Sequence, residues 1–511
     1  MGFFQDVRTH VHPFLISLFI CTASVSFGYD SGYFGGIQTM QPFLSVYGHF
    51  DTKSMEYAVS SSTLSLITSI INVGEFVGAT SAFWIGNKLG YKHGLYVSST
   101  AVVVGAIFQV AGTVEATLII GRLFTGYGVG LLSCFVPLLV ADCAPAVLRG
   151  ASVAAYQLGI ASGLVLGTAV TYKTQPRHDT GAYRIPMAII ILWPVILVPG
   201  LLTFVPESPR WLLGHNRYDA AARALRKLNG KTASADALEA ELAIMRTSIE
   251  TERELYASAG WRQIFTWGPE GRKAYLGFAL QALQQGSGIN FITSYGIYFF
   301  TQTGIKNSYL AIMGVYFMCF PGIFLASFIS ERFGRRPTLI VSGILCAATS
   351  IVMGGMGLIA EKNESENGAI AAMVFLFLVF FNMGWGPLVW VVCSEISVGR
   401  NRGKLMSFST GSNWFFNWVV SFSFPYLYGA DQANLGPKIG FIYGALMILS
   451  CFWVYYILPE TAGRTLEEID EMFEAHVPAR KFSSYICENV LGTGQNETKS
   501  EEETTIHEEK P

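Results

Sequence analysis

The stretch "ADCAPAVLRG" (residues 141–150) recurs in altered form as "CSEISVGRNRG" (residues 393–403). In each copy an acidic residue is followed, seven positions later, by an Arg-Gly dipeptide. The residues concerned are Asp142 with Arg149 in the first copy and Glu395 with Arg402 in the second. The two acids are 253 positions apart in a chain of 511 residues. The repetition therefore suggests that the chain consists of two related halves.

A second pair of short motifs supports this duplication. "PES" and "PET" place Glu207 and Glu460 at the same separation of 253 residues. In both halves this glutamate follows the first acid by 65 residues. A parallel duplication of membrane helices is typical of transporters whose binding site lies between the halves. The repeat therefore predicts a transporter built from two halves.

The composition is that of a membrane protein with many spans. Hydrophobic residues make up 51% of the chain and charged residues only 14%, whereas about a quarter of a soluble domain is charged. A helix needs about 20 apolar residues to cross a bilayer, and twelve runs of roughly this length predict an all-α membrane protein with twelve transmembrane helices in two six-helix halves. The runs are 14–32, 57–85, 94–113, 117–141, 150–171, 186–205, 273–300, 308–330, 337–360, 369–394, 404–428 and 438–458.

Several classes of function are excluded by what the sequence lacks. It has no nucleophile–base pattern, phosphate loop or metal-ligand spacing, so we predict neither an enzyme nor a bound cofactor or metal. No basic stripe interleaved with aromatic residues indicates a nucleic-acid partner. The cysteines lie almost all within apolar runs and form no CxxC pair, which indicates buried thiols rather than a disulfide framework.

The distribution of Lys and Arg predicts the orientation. These residues are concentrated in alternate loops, which the positive-inside rule assigns to the cytosol together with both termini. We therefore predict a multi-pass protein of the plasma membrane, acting as a monomer, with a glycosylation candidate at Asn363 in an outer loop. The predicted segments are a cytosolic N-terminus (1–13), the first half (14–206), a cytosolic helical linker (207–272), the second half (273–458) and a cytosolic tail (459–511) that is disordered at its end.

Charged residues at the predicted cytosolic helix ends form a candidate latch. The positive-inside rule does not require acids, so their presence favours a role beyond setting the topology. Ion pairs at a half-desolvated interface can hold two halves together and break when the halves rock apart. The predicted members are Asp142, Arg149, Glu207, Arg210, Arg335, Arg336, Glu395, Arg402 and Glu460.

Polar side chains also occur inside the apolar runs. Asp30, in "SFGYDSGYFGG" (26–36), and Arg122 are ionisable residues of this kind. Such groups are costly in a membrane unless they are paired, and they usually face a polar pathway. Amides occur in the same setting, where they either contact a substrate or hold helices together by hydrogen bonds. The amides are Gln157, Gln284, Gln285, Asn290, Asn413 and Asn417.

Motifs along almost the whole chain, from about residue 14 to 472, carry a resemblance to a known family. They include "GYDSGYFGG", "GRLFTGYGVG", "PESPRWLL", "QQGSGINFITSYG", "ERFGRRP", "WGPLVWVVCSEI", "NWFFNW" and "PETAGRTLEEID". The sequence resembles the sugar porter branch of the major facilitator superfamily, and "DTGAYRIP" is most similar to the fungal hexose transporter-like members. The resemblance implies the two-lobed major facilitator fold, working by alternating access on a sugar, most often a monosaccharide such as a hexose.

The resemblance also implies roles for individual residues. The six amides occupy positions that contact substrate in the family, with Trp390 and Trp414 as apolar walls and Tyr295 as an outer gate. Amides suit a sugar because they both donate and accept hydrogen bonds. In proton-coupled members, the residues that match Asp30 and Arg122 form a switchable pair that loads or releases a proton. The alternative is a purely structural pair, because passive fungal carriers keep the acid.

Departures from the family pattern keep other functions open. Asn87 replaces an acid of the loop after the second run, and Tyr91-Lys92 replaces an Arg pair, so the first-half latch is expected to be weaker. Ser294 stands where Tyr is usual and Ile190 where many members carry Gln, which affects the substrate more than the fold. The alternatives are a passive sugar facilitator, a sugar sensor without transport, and a carrier of a non-sugar metabolite such as a quinate-like acid.

Overall fold

The computed structural model describes most of the chain. The described residues are 8, 10–51, 56–144, 148–230, 235–255, 261–305, 307–359, 364–399, 401–429 and 432–487. The predicted glycosylation candidate Asn363, the side chain of Arg149 and the end of the predicted tail lie outside the described part.

Twelve long helical segments, labelled α1 to α12, follow one another in the described chain. Nine are long and apolar enough to cross a membrane. They are α1 (Val11–Ile37), α2 (Ser61–Leu89), α3 (Tyr91–Ala111), α4 (Glu115–Cys143), α6 (Gly181–Thr203), α8 (Ser308–Phe333), α9 (Arg335–Met356), α10 (Ser365–Ile396) and α12 (Gly436–Ile457). The three less apolar ones are α5 (Arg149–Thr174), α7 (Pro269–Gly286 and Ile289–Gln302) and α11 (Arg402–Tyr428). Each of the twelve segments coincides with one of the twelve predicted runs.

Shorter elements connect the spans. The helices are Gln41–Tyr47, Pro209–Gly214, Tyr218–Asn229, Ala235–Leu255, Trp261–Phe265 and Leu466–Glu474, with a short 3-10 helix at Ala479–Ser484. Strands β1 (His49–Asp51) and β2 (Glu56–Ala58) form a small antiparallel hairpin with Phe50 opposite Tyr57. Four of these helices fall in the linker that was predicted to be helical.

The duplication seen in the sequence also appears in the geometry of α3 and α9. Each helix begins after a glycine with positive φ, Gly90 at 93° and Gly334 at 96°. The carboxylate of Glu207 accepts hydrogen bonds from the first backbone N–H groups of α3, at 3.0–3.2 Å. Glu460 does the same at α9, at 2.9 and 3.0 Å. A carboxylate satisfies the unpaired N–H groups of a helix N-terminus and complements its dipole, so these glutamates cap helices within their own halves.

Glycines bring α2 and α4 into backbone contact. A Cβ atom added at Gly126 would lie 2.1 Å from the carbonyl oxygen of Ile71, and one added at Gly130 would lie 2.1 Å from that of Glu75. Gly74 and Gly78 on α2 approach α4 in the same way. Small residues at such spacing allow membrane helices to pack closely. The close packing fixes the position of α2 relative to α4.

Replacement of Gly130 by alanine is expected to destabilise the protein, because the added methyl group meets backbone that has no room to move. Overpacking of this kind costs about 1–3 kcal/mol, which should appear as a lower unfolding temperature in detergent. Gly355→Ala is the matched control, since no atom lies within 4 Å of its Cβ position. Equal unfolding temperatures for the two variants would contradict this account of the packing.

Candidate transport site

A cavity of about 70 Å³ lies between the two halves. Its wall is formed by α1 and α5 from the first half and by α7, α8, α10 and α11 from the second. Most ligand pockets are larger, roughly 300–1,000 Å³, so this cavity is small for a ligand site. Seven of the eight predicted substrate residues line it, and they are Gln157, Gln284, Gln285, Asn290, Trp390, Asn413 and Asn417.

The amides of α7 and α11 form one hydrogen-bonded network. Asn413 Nδ2 donates to the side-chain oxygens of Gln281, at 2.6 Å, and Gln284, at 2.8 Å. Gln285 Nε2 donates to Gln284 Oε1 at 3.4 Å, and Asn290 donates to the side chain of Gln285. Each amide also has further donor or acceptor capacity. The network therefore presents a row of polar groups that a polyhydroxylated ligand can enter by exchanging hydrogen bonds.

Breaks in two helices position this network. Helix α7 is interrupted at Ser287 and at Gly288, whose φ is 81°. Gln285 precedes this break and Asn290 follows it, and both side chains line the cavity. Helix α10 is interrupted between Met383 and Pro387. The carbonyl oxygens of Trp385 (2.7 Å) and Gly386 (3.2 Å) in this break accept from Gln284 Nε2. Backbone groups freed by such a break need partners inside a membrane, and here an amide of the cavity wall supplies them.

The aromatic residues of the predicted site take different positions. Trp390 lines the cavity and packs edge-on against Tyr156. Trp414 is not among the described residues of the wall; its Nε1 donates to Ser133 Oγ across the interface at 3.0 Å. Its ring contacts Phe27, which does line the cavity. Tyr295 of α7 is buried but is not among the described residues of the wall, and its hydroxyl donates to the Ser421 carbonyl at 2.8 Å.

Asn382 is a cavity residue that the sequence analysis missed. Its Oδ1 accepts from Gln157 Nε2 at 3.2 Å, which joins α10 to α5 across the two halves. It stands within the tenth apolar run, so the criterion that selected the other amides applied to it equally. Phe27, Ser31 and Thr293 also line the cavity. No family motif quoted for the site contains Asn382, and attention to those motifs alone left it out.

Asp30 and Arg122 form a buried ion pair. Arg122 Nη1 donates to Asp30 Oδ2 at 2.9 Å, and each side chain is only 3% exposed. The second carboxylate oxygen accepts from Tyr33 Oη at 3.0 Å, and the guanidinium lies 3.5 Å from the centroid of the Phe34 ring. The predicted pairing is therefore present in the geometry. A charged pair held by one aromatic face and one hydroxyl can separate when either helix moves.

The ion pair borders a second, smaller cavity next to the first. This cavity has a volume of about 20 Å³ and is lined by Asp30 and Arg122 among other residues. Four residues line both cavities, and they are Phe27, Ser31, Asn290 and Asn417. A ligand in the amide cavity would therefore touch side chains that also face the ion pair.

Comparison with known proteins now identifies the family. The family model described as "Sugar (and other) transporter" matches residues 16–473. This chain belongs to the sugar transporter family. The major facilitator-type transporter ecdD of Aspergillus rugulosus is 36% identical over 90% of this chain and 87% of that protein. The high glucose sensor RGT2 of Saccharomyces cerevisiae is 34% identical over 91% of this chain and 61% of its own length.

A solved structure supports the fold. The proton:xylose symporter XylE bound to 6-bromo-6-deoxy-D-glucose superimposes with a TM-score of 0.78, covering 91% of this chain and all of XylE at 24% identity. The predicted major facilitator fold is thereby confirmed. The family match also confirms that the chain is a multi-pass membrane protein of a transporter family and not an enzyme.

The two halves of this sugar transporter family member touch at both ends. At the end that carries Asp142, this carboxylate pairs with Arg402 of the other half, and both side chains are buried. At the opposite end, Tyr309 Oη donates to the Gly36 carbonyl at 2.7 Å and lies 2.8 Å from Thr39 Oγ1. The halves are therefore in contact on both sides of the amide cavity.

The other latch candidates make their described contacts inside one half. Arg335 pairs with Glu395 at 3.1 Å, and Arg336 donates to the Tyr455 carbonyl. In the first half, Tyr91 takes the position that corresponds to Arg335 and brings no cation to Asp142. The pair of Asp142 with Arg402, in contrast, crosses the halves.

Replacement of Arg402 by glutamine is expected to open the Asp142 end. Removing the guanidinium takes a charged partner from the buried Asp142 carboxylate, and breaking a buried pair in this way costs roughly 3–5 kcal/mol. Cys134 reports the change, because it lines a cavity of about 450 Å³ at this end while its side chain is buried. With the other cysteines replaced by serine, Cys134 should react with a permeant maleimide at least about tenfold faster in the variant.

Arg177→Gln is the matched control for this experiment. It breaks an exposed ion pair with Asp179 rather than a buried one, so the Cys134 labelling rate should stay at the wild-type value. An unchanged rate in Arg402→Gln as well would mean that the Asp142–Arg402 pair does not hold this end closed.

Proposed function

We propose that this protein moves a monosaccharide, such as a hexose, across the membrane by alternating access and couples its movement to protons. The observation that carries the proposal is the convergence of seven predicted substrate residues on one cavity between the halves. Two similar proteins, the glucose sensor RGT2 and the proton:xylose symporter XylE, are named for sugars, which supports a sugar as the ligand.

The chemistry of the cavity suits a sugar. Hydroxyl groups need partners that both donate and accept, which amides provide, and the apolar faces of the ring need aromatic or aliphatic walls. Gln157, Asn382 and the α7–α11 amide network supply the first, and Phe27 with Trp390 supply the second. The wall as described contains no charged group, so it suits a neutral ligand better than an acid such as a quinate-like metabolite.

Proton coupling is supported by the position of the ion pair. The pair of Asp30 and Arg122 borders a cavity that shares Asn290 and Asn417 with the sugar cavity. A sugar bound to these amides would change the surroundings of the pair, and a change in the pair would alter the amides. This mutual effect is what coupling between two ligands requires.

Alternating access is supported by the contacts at the two ends. We assign the latch role to Asp142 and Arg402. At the opposite end, the contact of Tyr309 with Gly36 closes the interface. Tyr295 remains the proposed outer gate. Breaking one set while keeping the other opens the cavity to one side at a time. In this proposal the Asp142 end, both termini and the linker are cytosolic, and the protein acts as a monomer in the plasma membrane.

A sensor without transport is the second candidate function. It is favoured by the 34% identity to the glucose sensor RGT2, of which this chain covers 61%. A sensor needs the same sugar cavity but no cycle of opening at both ends, so the cavity alone does not distinguish the two functions. A passive facilitator differs only in lacking dependence on the proton gradient.

Uptake of a panel of labelled sugars, in cells lacking their own sugar carriers, tests the proposal. Uptake of one sugar that collapses when a protonophore is added supports symport. Uptake that ignores the protonophore indicates a facilitator. No uptake of any sugar, with the protein present at the surface, would overturn the transport proposal and favour the sensor or a non-sugar substrate.

A further inference from the structure

Glu75, on α2, is a buried carboxylate that neither the amide cavity nor the Asp30–Arg122 pair uses. It is only 2% exposed and lines the same 20 Å³ cavity as Asp30 and Arg122. Its Oε2 atom makes no hydrogen bond within the described part of the structure. An ionised carboxylate buried without a partner is costly in any protein interior and more so in a membrane. The structure therefore has to keep this group neutral or bring it a partner.

The backbone around Glu75 prevents the residue from moving away. Its carbonyl oxygen would be 2.1 Å from a Cβ atom placed at Gly130, so α2 and α4 are in direct backbone contact at this position. Gly74, the preceding residue, is packed equally closely against Leu123. Glu75 is thus held beside the ion pair by packing that does not depend on its own side chain.

The charges around this cavity do not balance. Two carboxylates, Asp30 and Glu75, line it together with one guanidinium, that of Arg122. Other titratable groups near these charges include Tyr33, Tyr156 and Tyr295, which are phenols and supply no positive charge. Two carboxylates that share one buried cation do not both ionise readily, and one of them takes up a proton. Asp30 has the ionised role, because it accepts from both Arg122 and Tyr33.

We propose that Glu75 is a second proton-binding residue of this transporter and that it, rather than Asp30, holds the proton in the closed conformation. The role of Glu75 in transport rests on the proposed proton symport. The protonation of Glu75 does not, because it follows from two carboxylates sharing one cation. Arg122 Nε also makes no hydrogen bond to any described group. Arg122 therefore has a donor left for Glu75 once Glu75 releases its proton, while Asp30 can take up a proton as the pair opens.

Infrared difference spectroscopy of the purified full-length protein tests where the proton lies. A protonated carboxyl group has a carbonyl stretch that an ionised carboxylate lacks. We expect this band in wild-type protein at neutral pH and a shifted band in Glu75→Asp. We expect its loss in both Glu75→Gln and Asp30→Asn, because either change leaves a single carboxylate to pair with Arg122. A band that survives in Glu75→Gln, a band that keeps its wild-type frequency in Glu75→Asp, or no such band in wild type would overturn the proposal.

Sugar-induced proton uptake, followed with a pH electrode in a lightly buffered cell suspension, tests the role in transport. Glu75→Gln should lose this signal while sugar exchange continues, because glutamine resembles the protonated acid but releases no proton. Glu75→Asp should keep the signal in part. Ser69→Ala is the matched control, since Ser69 is buried on the same helix but is not among the described residues that line the cavity.

The outcomes separate the two proposals. Wild-type proton uptake that persists in Glu75→Gln overturns the role of Glu75 in coupling and leaves symport standing. A wild type that shows no proton uptake with any transported sugar overturns symport, whereas the infrared band still decides whether Glu75 holds the proton. If Glu75→Gln does not fold, the band shift in Glu75→Asp makes the same assignment.

Discussion

Asp30→Asn is expected to abolish uphill accumulation of the sugar while sugar exchange across the membrane continues. Asparagine has nearly the shape of aspartate and still accepts hydrogen bonds from Arg122 and Tyr33, so the architecture of the site should survive. It carries no negative charge, however, and Arg122 is then free to pair with the remaining carboxylate at Glu75. No group in the cavity would exchange its proton during the cycle, so internal sugar should not exceed the external concentration.

The measurement compares labelled sugar inside and outside energised cells with counterflow in de-energised cells. Asp179→Asn is the matched control, because it makes the same chemical change in an exposed residue whose partner is Arg177, and it should accumulate sugar like the wild type. Accumulation by Asp30→Asn against a gradient would show that Asp30 is a structural residue. Loss of exchange along with accumulation would indicate a damaged site rather than lost coupling.

The second large effect is expected at the break in α7. Gln285→Ala or Asn290→Ala removes an amide from the cavity wall and leaves its partners without one of their hydrogen bonds. A buried polar group left unsatisfied costs about 1–3 kcal/mol, and the sugar loses a contact in addition. Uptake per transporter at low sugar concentration should fall about 10- to 100-fold. Surface expression should stay normal, because the change lies in a cavity and not in packed core.

Gln38→Ala provides the matched control for this series. Gln38 is also a buried glutamine, directly after the last residue of α1, but it is not among the described residues of either cavity. Its replacement should leave uptake near the wild-type level. Normal uptake by both the Gln285 and the Asn290 variants would exclude this cavity as the sugar site.

The sequence predicted the spans closely because a bilayer imposes one length on every crossing. Runs such as 117–141 and 404–428 differ from α4 and α11 by only two residues at either end or less. The cavity amides were predictable for the same reason, since a Gln or Asn inside an apolar run stands out against its neighbours. Asn382 carries the same signal, because it is an amide inside an apolar run, although it was not among the predicted site residues.

Other features depend on contacts that sequence spacing does not contain. Trp414 follows Asn413 directly, but one residue corresponds to about a quarter-turn of helix, so its indole is directed to Ser133 rather than into the cavity. The partner of Asp142 is Arg402, which lies 260 positions away in the other half. Glu75 was not predicted, because sequence spacing does not show that it shares a cavity with Asp30 and Arg122 in the folded chain.

The glycine contacts between α2 and α4 differ in kind from the hydrogen bonds that cross between the halves. Helices α2 and α4 are in backbone contact at several glycines, so this pair of helices should move as one stiff unit. Single hydrogen bonds between the halves, such as those of Gln157 with Asn382 and of Tyr309 with Gly36, each contribute only about 0.5–1.5 kcal/mol. A sugar that makes a few hydrogen bonds operates on the same energy scale. It can therefore shift the population between open and closed forms tenfold for each 1.4 kcal/mol by which it prefers one of them.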